Sequence, residues 1–255
     1  MDRQIAKHAS KWLGVIFWIN MVKLLQAALS IVFPVIRSAV SPWFVMLLFA
    51  AETVCLFKCT RADENFRIAG IYALAAFVIS QAITWSGLFD TNDIMEKLSE
   101  QRALLESAGS VDPQTKRASG ELILEFARRF GIVCVILLID GLICAMRDYR
   151  LFRGLSRVTE PWDEKLPKKW KSVWKGYLAC WIILAVEAVL GFAFIHLTGS
   201  LLADVGSLDL SDDLILLLMV ISMLGLGLAV LIIALITYIR HLKYLHRTVK
   251  LLRDV

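Results

Sequence analysis

The amino-acid sequence predicts an all-α fold: a polytopic transmembrane helical bundle of about six spans that forms a single integral membrane domain, residues 1–255. Two observations support this prediction. Hydrophobic residues make up 58% of the chain, whereas soluble globular domains contain roughly 45–50% apolar residues even when glycine is counted. Only 20% of the residues are charged, and they separate long stretches that are almost free of charge. An ordinary soluble domain is therefore excluded.

Six apolar segments are long enough to be membrane spans, because a helix needs about 20 residues to cross a hydrocarbon core of roughly 30 Å. The predicted spans are residues 12–36, 42–57, 68–89, 130–146, 176–203 and 214–239. The second and fourth have only 16 and 17 residues, so their ends are poorly defined. A re-entrant second segment, and hence a total of five spans, is the alternative.

The distribution of Lys and Arg predicts the orientation, since basic residues accumulate in cytoplasmic loops. One face of the predicted bundle carries 20 basic residues and the other carries 7. The richer face consists of the N-terminal segment, residues 58–67, residues 147–175 and the tail 240–255. Both termini are therefore predicted to be cytoplasmic, in a protein integral to the cytoplasmic (plasma) membrane.

The connector at residues 90–129 is predicted to form an extracytoplasmic helical hairpin between spans three and four. Asp93 and Glu96 have the spacing of a capping box at the start of the first helix. Asp112 followed by Pro113 marks the start of a second helix, which would lead directly into span four. A lid or a partner-docking role is one interpretation, and a solvated connector is the preferred one.

The segment at residues 147–175 has nine basic residues and is predicted to be a basic cytoplasmic loop that contacts lipid. Indole rings and lysines before a span suit the headgroup region, where each basic residue contributes about 1 kcal/mol on an anionic surface. The predicted headgroup contacts are Lys168, Lys169, Trp170, Lys171, Trp174 and Lys175. Nucleic-acid binding is not predicted, because no recognition motif accompanies the basic residues.

The tail at residues 240–255 has an amphipathic pattern. Apolar residues recur at spacings of three and four, at Leu242, Leu245, Val249 and Leu252. Such a helix is predicted to lie on the membrane surface or to pair with a partner helix.

Four charged residues within the predicted spans form a candidate intramembrane polar cluster: Lys23, Glu52, Asp140 and Glu187. Each lies 10 or 11 residues from the start of its span, so all four are predicted at one depth. An isolated charge there costs at least about 2.5–3.5 kcal/mol on insertion scales, so pairing is expected. Three carboxylates and one lysine leave an excess of acidic groups. A buried carboxylate that can exchange a proton is the kind of group that an ion-coupled carrier uses. One alternative is a structural role, in which the polar residues hold the helices in register. The other is that the second and fourth spans are short, so that Glu52 and Asp140 lie close enough to the cytoplasmic interface to be hydrated.

Enzyme and metal motifs are absent from the sequence, which has no glycine-rich phosphate loop, HExxH or GxSxG. The five cysteines show no CxxC or Cys–His spacing. No catalytic residue, metal site or cofactor is therefore predicted. Three classes of function remain: a transporter or permease subunit, the latter with a separate ATPase partner; a non-transporting scaffold or accessory subunit of a membrane complex; and, least favoured, a membrane-embedded enzyme.

Overall fold

A computed structural model describes residues 2–32, 42–86, 113–203 and 210–255, together with Glu96 and Glu100. This part of the chain is helical and contains no strand. Its long helices are α1 (Arg3–Val32), α2 (Pro42–Lys58), α3 (Glu64–Trp85), α4 (Pro113–Thr159), α5 (Leu166–Ala203) and α6 (Leu210–Asp254). A single 3-10 turn, Cys59–Arg61, follows α2 within these ranges.

Five of the described helices are long and apolar enough to cross a membrane, and the protein is accordingly a multi-pass membrane protein. The qualifying segments are Arg3–Leu29, Glu64–Ala82, Leu124–Thr159, Leu166–Leu197 and Val220–Asp254. The apolar helix α2 has 17 residues, so the sixth span stays a prediction. Helix α4 begins at Pro113, where the sequence predicts the second arm of the hairpin. The first arm lies almost wholly outside the described residues.

Helices α4, α5 and α6 are much longer than a bilayer requires. They contain 47, 38 and 45 residues, which correspond to about 70, 57 and 68 Å at 1.5 Å per residue. The segment at residues 147–175, predicted to be a basic cytoplasmic loop, is helical except at the turn at residues 160–165, because α4 and α5 occupy the rest of it. The tail at residues 240–255 forms the end of α6.

The turn between α4 and α5 is held by the carboxylate of Asp163. Its Oδ1 accepts hydrogen bonds from the backbone N–H groups of Lys165, at 2.8 Å, and Leu166, at 3.2 Å. Its Oδ2 accepts a hydrogen bond from Nη2 of Arg247 in α6, at 2.7 Å. These donors, led by the N–H of Lys165, lower the pKa of Asp163. Pro161 helps to end α4, since proline cannot continue a helix.

The described helices divide into two compact units. The first contains residues 1–78, 142–180 and 233–255, and the second contains residues 79–141 and 181–232. The first unit has a core to which all six helices contribute fully buried side chains. Representative members are Leu13, Leu56, Phe66, Leu155, Trp170 and Leu252.

The second unit exposes many large apolar side chains. Examples are Leu137 on α4, Val189 on α5 and Leu224 on α6, all at least 45% exposed. Large apolar side chains on the outside of a bundle are well solvated by lipid and poorly solvated by water. Their exposure therefore supports membrane insertion of these helices.

Trp170 lies in the core of the first unit, which corrects its prediction as a headgroup contact. Its ring is fully buried, is stacked on Phe152 at 5.7 Å between centroids, and donates a hydrogen bond from Nε1 to Oγ1 of Thr248 at 3.3 Å. The physical reason is helical periodicity, because position 170 shares a face with Leu166 and Val173, which are also buried. Headgroups do not reach this ring.

The apolar face of the C-terminal part of α6 packs against other helices of the first unit. Leu242, Leu245, Val249 and Leu252 are buried. The hydroxyl of Ser10 in α1 donates a hydrogen bond to the backbone oxygen of Val249 at 2.9 Å. This face thus packs within the first unit, which corrects the prediction of a tail whose apolar face lies on the membrane or against a partner.

We expect Trp170→Ala to lower the free energy of unfolding by about 3–5 kcal/mol, because it removes a fully buried indole and leaves a cavity. Trp18→Ala is the matched control, since the Trp18 side chain is 67% exposed. Thermal unfolding of both variants in the same detergent measures the difference. Equal losses of stability would contradict the placement of Trp170 in the core.

Asp163 is expected to make stability depend on pH in the acidic range. Because folding lowers its pKa, its contribution is complete above the unfolded value of about 4 and is lost as the pH falls through the lower folded value. Asp163→Asn removes this charge but retains an acceptor oxygen for the turn. The melting temperatures of wild type and variant should differ at neutral pH and converge in acid. A difference that stays constant over this range would contradict the role of the charge.

Candidate functional site

The first unit contains a network of partly or fully buried polar side chains to which five helices contribute. Its ionisable members are Lys23 on α1, Glu52 on α2, Arg147 and Asp148 on α4, Tyr177 on α5, and Tyr238 and His241 on α6. Groups of this kind are expensive to bury unless they have partners. The network is therefore the strongest candidate for a functional site among the described residues.

Lys23 and Glu52 form an ion pair between α1 and α2. Nζ of Lys23 contacts Oε2 of Glu52, and their side chains are 32% and 13% exposed. The same Nζ lies 5.7 Å from the ring centroid of Phe49, one helical turn before Glu52, in a cation–π contact. A lysine within an apolar helix thus has both a charged and an aromatic partner.

A second contact joins α1 to α6 one turn away from Lys23. The Tyr238 hydroxyl donates a hydrogen bond to the backbone oxygen of Asn20 at 2.7 Å. The side-chain amide of Asn20 donates in turn to the backbone oxygen of Ile16 at 2.9 Å. Asn20 therefore bridges its own helix and α6.

Arg147 and Asp148 form an ion pair on α4. Nε and Nη2 of Arg147 both donate to Oδ1 of Asp148, at 2.9 and 2.7 Å, and Asp148 is buried. Arg147 also lies close enough to Glu52 for their charges to interact. The two ion pairs consequently belong to one electrostatic system.

His241 occupies a buried aromatic cage. The rings of Phe152, Trp170, Tyr177 and Tyr238 lie 5.2–6.1 Å from its ring centroid, at angles between 71° and 83°. The Tyr177 hydroxyl is 3.2 Å from Nδ1. Nε2 is buried and has no hydrogen-bond partner among the described residues. One nitrogen of the imidazole is therefore engaged, and the other faces the cage.

Asp140 and Glu187 belong to the second unit, where both are half-buried. Glu187 of α5 faces Gly227 of α6, since a Cβ at Gly227 would lie 3.1 Å from Oε1 of Glu187. The absence of a side chain at Gly227 leaves room for this carboxylate. The structure thus places Lys23 with Glu52, whereas a meeting of all four predicted residues stays a prediction.

The other residues predicted to contact headgroups differ in exposure. Lys168, Lys171 and Lys175 are exposed. Lys169 is half-buried, with Nζ 5.5 Å from the ring centroid of Tyr244, and Trp174 is half-buried against Tyr149 at 5.4 Å. Of these five residues, Lys168, Lys171 and Lys175 are the most accessible to the surroundings.

The sequence analysis missed Arg147, Asp148, Tyr177 and His241 as members of a site. A usable signal was present, because a polar residue on an otherwise apolar helical face must find a partner inside. Asp148 lies one turn from Leu151 and Phe152, and His241 lies one turn from Leu245. Arg147 and Asp148 were counted only as charges of the segment at residues 147–175, and this concealed the pattern.

No group of three metal-ligating side chains occurs in the described ranges. All five cysteines are free thiols. Cys59, in the turn after α2, is buried, and burial raises its pKa to about 12, which suppresses the reactive thiolate. No protein-family model, curated protein or solved structure matches this chain. Function must therefore be argued from the buried polar network.

We expect the Lys23–Glu52 pair to show strong energetic coupling. Either Lys23→Met or Glu52→Gln should destabilise the protein, by at most about 3–5 kcal/mol, because it leaves one partly buried charge without its partner. The double variant should recover most of that loss, because no unpaired charge remains. Thermal unfolding of the wild type, the two single variants and the double variant in one detergent gives a double-mutant cycle that measures the coupling. Additive losses would show that the two charges act independently.

Proposed function

We propose that this chain is a transporter or permease subunit that couples solute movement to proton exchange at Glu52. The ion pair of Glu52 with Lys23 carries this proposal. Ionisable side chains within apolar helices are costly to retain, and they commonly belong to ion pathways or proton relays. Here a carboxylate, its lysine partner, a second ion pair and a buried histidine lie in one unit.

The chemistry of the pair has two states. When Glu52 is ionised, its negative charge balances the positive charge of Lys23, and the ion pair holds α1 to α2. Protonation of the carboxylate removes the attraction and leaves the ammonium group in need of another anion or of water. Alternation between these states can link proton uptake to helix movement. In this proposal Asp140 and Glu187, which belong to the second unit, are further acidic groups that can exchange protons.

The alternative proposal is a non-transporting scaffold or accessory subunit of a membrane complex. A specific observation favours it: Lys23–Glu52 and Arg147–Asp148 are both paired beside a densely packed aromatic core. A satisfied polar network stiffens a bundle and fixes the register of its helices. The partner is then another membrane protein, whereas a permease subunit requires an ATPase. In neither proposal does the chain catalyse a reaction by itself.

Proton movement in proteoliposomes tests transport. Liposomes that contain a pH-sensitive dye are supplied in turn with amino acids, sugars, organic acids and organic cations. We expect one class to drive proton flux in wild type, and Glu52→Gln to reduce that flux at least tenfold. Glu160→Gln, in the exposed turn after α4, is the matched control and should retain flux.

Circular dichroism and size-exclusion profiles of the same preparations establish that each variant is folded. Flux in folded Glu52→Gln equal to that of wild type would contradict proton exchange at Glu52. The scaffold would be favoured if no solute class drives proton flux and the Lys23→Met/Glu52→Gln double variant recovers stability. Co-purification of an ATPase would favour a permease subunit.

We further propose that both termini face the cytoplasm in the cytoplasmic (plasma) membrane. The 20-to-7 asymmetry of basic residues supports this orientation. The exposed Lys168, Lys171 and Lys175 then face the anionic headgroups of the inner leaflet.

Cysteine labelling tests the orientation. In a variant whose five native cysteines are replaced, one cysteine is introduced at Glu121 or at Lys250, both exposed. A membrane-impermeant maleimide added to intact cells should label position 121 and not position 250. Labelling of position 250 before the cells are lysed would reverse the proposed topology.

A further inference from the structure

A basic cavity lies in the first unit, where the beginning of α1 meets the end of α6. Its volume is about 400 Å³, and its lining consists of Lys7, Ser10, Lys11 and Arg253. We propose that this cavity binds a phosphate group, carried either by a lipid headgroup or by a soluble molecule. The proposal is independent of the transport function and involves none of the residues assigned to it.

The cavity has a rigid wall. Ser10 is buried, and its hydroxyl donates to the backbone oxygen of Val249, which fixes α1 against α6. Ala6 and Leu252, each adjacent in sequence to a lining residue, have no exposed surface. The backbone positions of the lining residues are therefore held by packed neighbours, which lowers the entropic cost of binding.

The charge of the lining predicts the class of ligand. Lys7 and Lys11 lie four residues apart on one face of α1, and Arg253 lies in the last turn of α6. Three cations thus surround one cavity, and no carboxylate is among the described residues that line it. Their mutual repulsion is relieved when an anion enters.

A phosphate group matches the donors that these residues provide. Arg253 offers the planar guanidinium fork, which donates two parallel hydrogen bonds to phosphate oxygens, and each lysine adds an ammonium group. A phosphate presents enough acceptor oxygens to engage all three cations at once. The three side chains are exposed, so a ligand can reach them, and the volume falls within the roughly 300–1,000 Å³ of ligand pockets.

Both sources of phosphate are available at this position. Lys7 and Lys11 precede the first predicted span, which begins at Trp12, and Arg253 follows the last, which ends at residue 239, so a headgroup on that side of the membrane can supply the phosphate. They are also at the edge of the helix bundle, where a soluble phosphate can enter from water. The experiment must therefore present each source separately.

Binding is measured with the full-length protein in nanodiscs. In one arm, nanodiscs of phosphatidylcholine alone are titrated with inorganic pyrophosphate and followed by calorimetry. In the other, thermal stability is compared between nanodiscs of phosphatidylcholine and nanodiscs that also contain phosphatidic acid. The variants are Lys7→Gln/Lys11→Gln/Arg253→Gln and the charge-matched control Lys58→Gln/Arg61→Gln/Arg67→Gln, whose residues are exposed elsewhere in the first unit.

We expect wild type and the control to bind one of the two probes, and the cavity variant to lose at least about tenfold in affinity or most of the stabilisation, since charge-assisted hydrogen bonds dominate phosphate recognition. Pyrophosphate binding would identify a soluble ligand, and stabilisation by phosphatidic acid alone would identify a headgroup. Equal losses in cavity and control variants would overturn the proposal, because general charge would then explain binding. Binding of neither probe by folded wild type would overturn it as well.

Discussion

The uninterrupted length of α4, α5 and α6 is the constraint on which the first unit depends. Each helix exceeds the thickness of a hydrocarbon core, so each carries residues beyond it. Outside hydrocarbon, an apolar helical face must be covered to be stable. Trp170, Leu155 and Leu252 obtain that cover from one another's helices and from α1. The buried core of the first unit is thus a consequence of helices that are longer than a hydrocarbon core is thick.

Much of this fold could be predicted from composition and local signals. Helix α2 was predicted at residues 42–57 and is observed at Pro42–Lys58, and the Asp112–Pro113 pair correctly marked the start of α4. Residues 147–175 were predicted as a basic loop, because nine positive charges dominate their average polarity, whereas helices occupy all of the segment except the turn at residues 160–165. Average polarity does not distinguish a charged loop from a helix with one charged and one apolar face. The recurrence of Leu166, Trp170 and Val173 on one face contained that information.

The candidate site was predictable only in part. Charges within apolar segments identified Lys23 and Glu52 as residues that need partners. The choice of partner depends on helix rotation and neighbour order, which span depth does not specify, and three carboxylates were predicted at the same depth. His241 illustrates the opposite difficulty. Its significance comes from Phe152, Trp170, Tyr177 and Tyr238, aromatic residues on three helices that come together only in the folded chain.

The hydrogen bond between Ser10 and Val249 joins residues 239 positions apart in the sequence. During synthesis, the apolar face of α1 that contains Ala6, Ala9 and Leu13 has no α6 to pack against until the five helices between Arg3 and Ala203 have been made. Contacts of such large sequence separation form late, and surfaces that wait for them are prone to aggregate. Biogenesis of this protein therefore requires that the first helix be shielded, by lipid or by an insertion factor, until the last helix arrives.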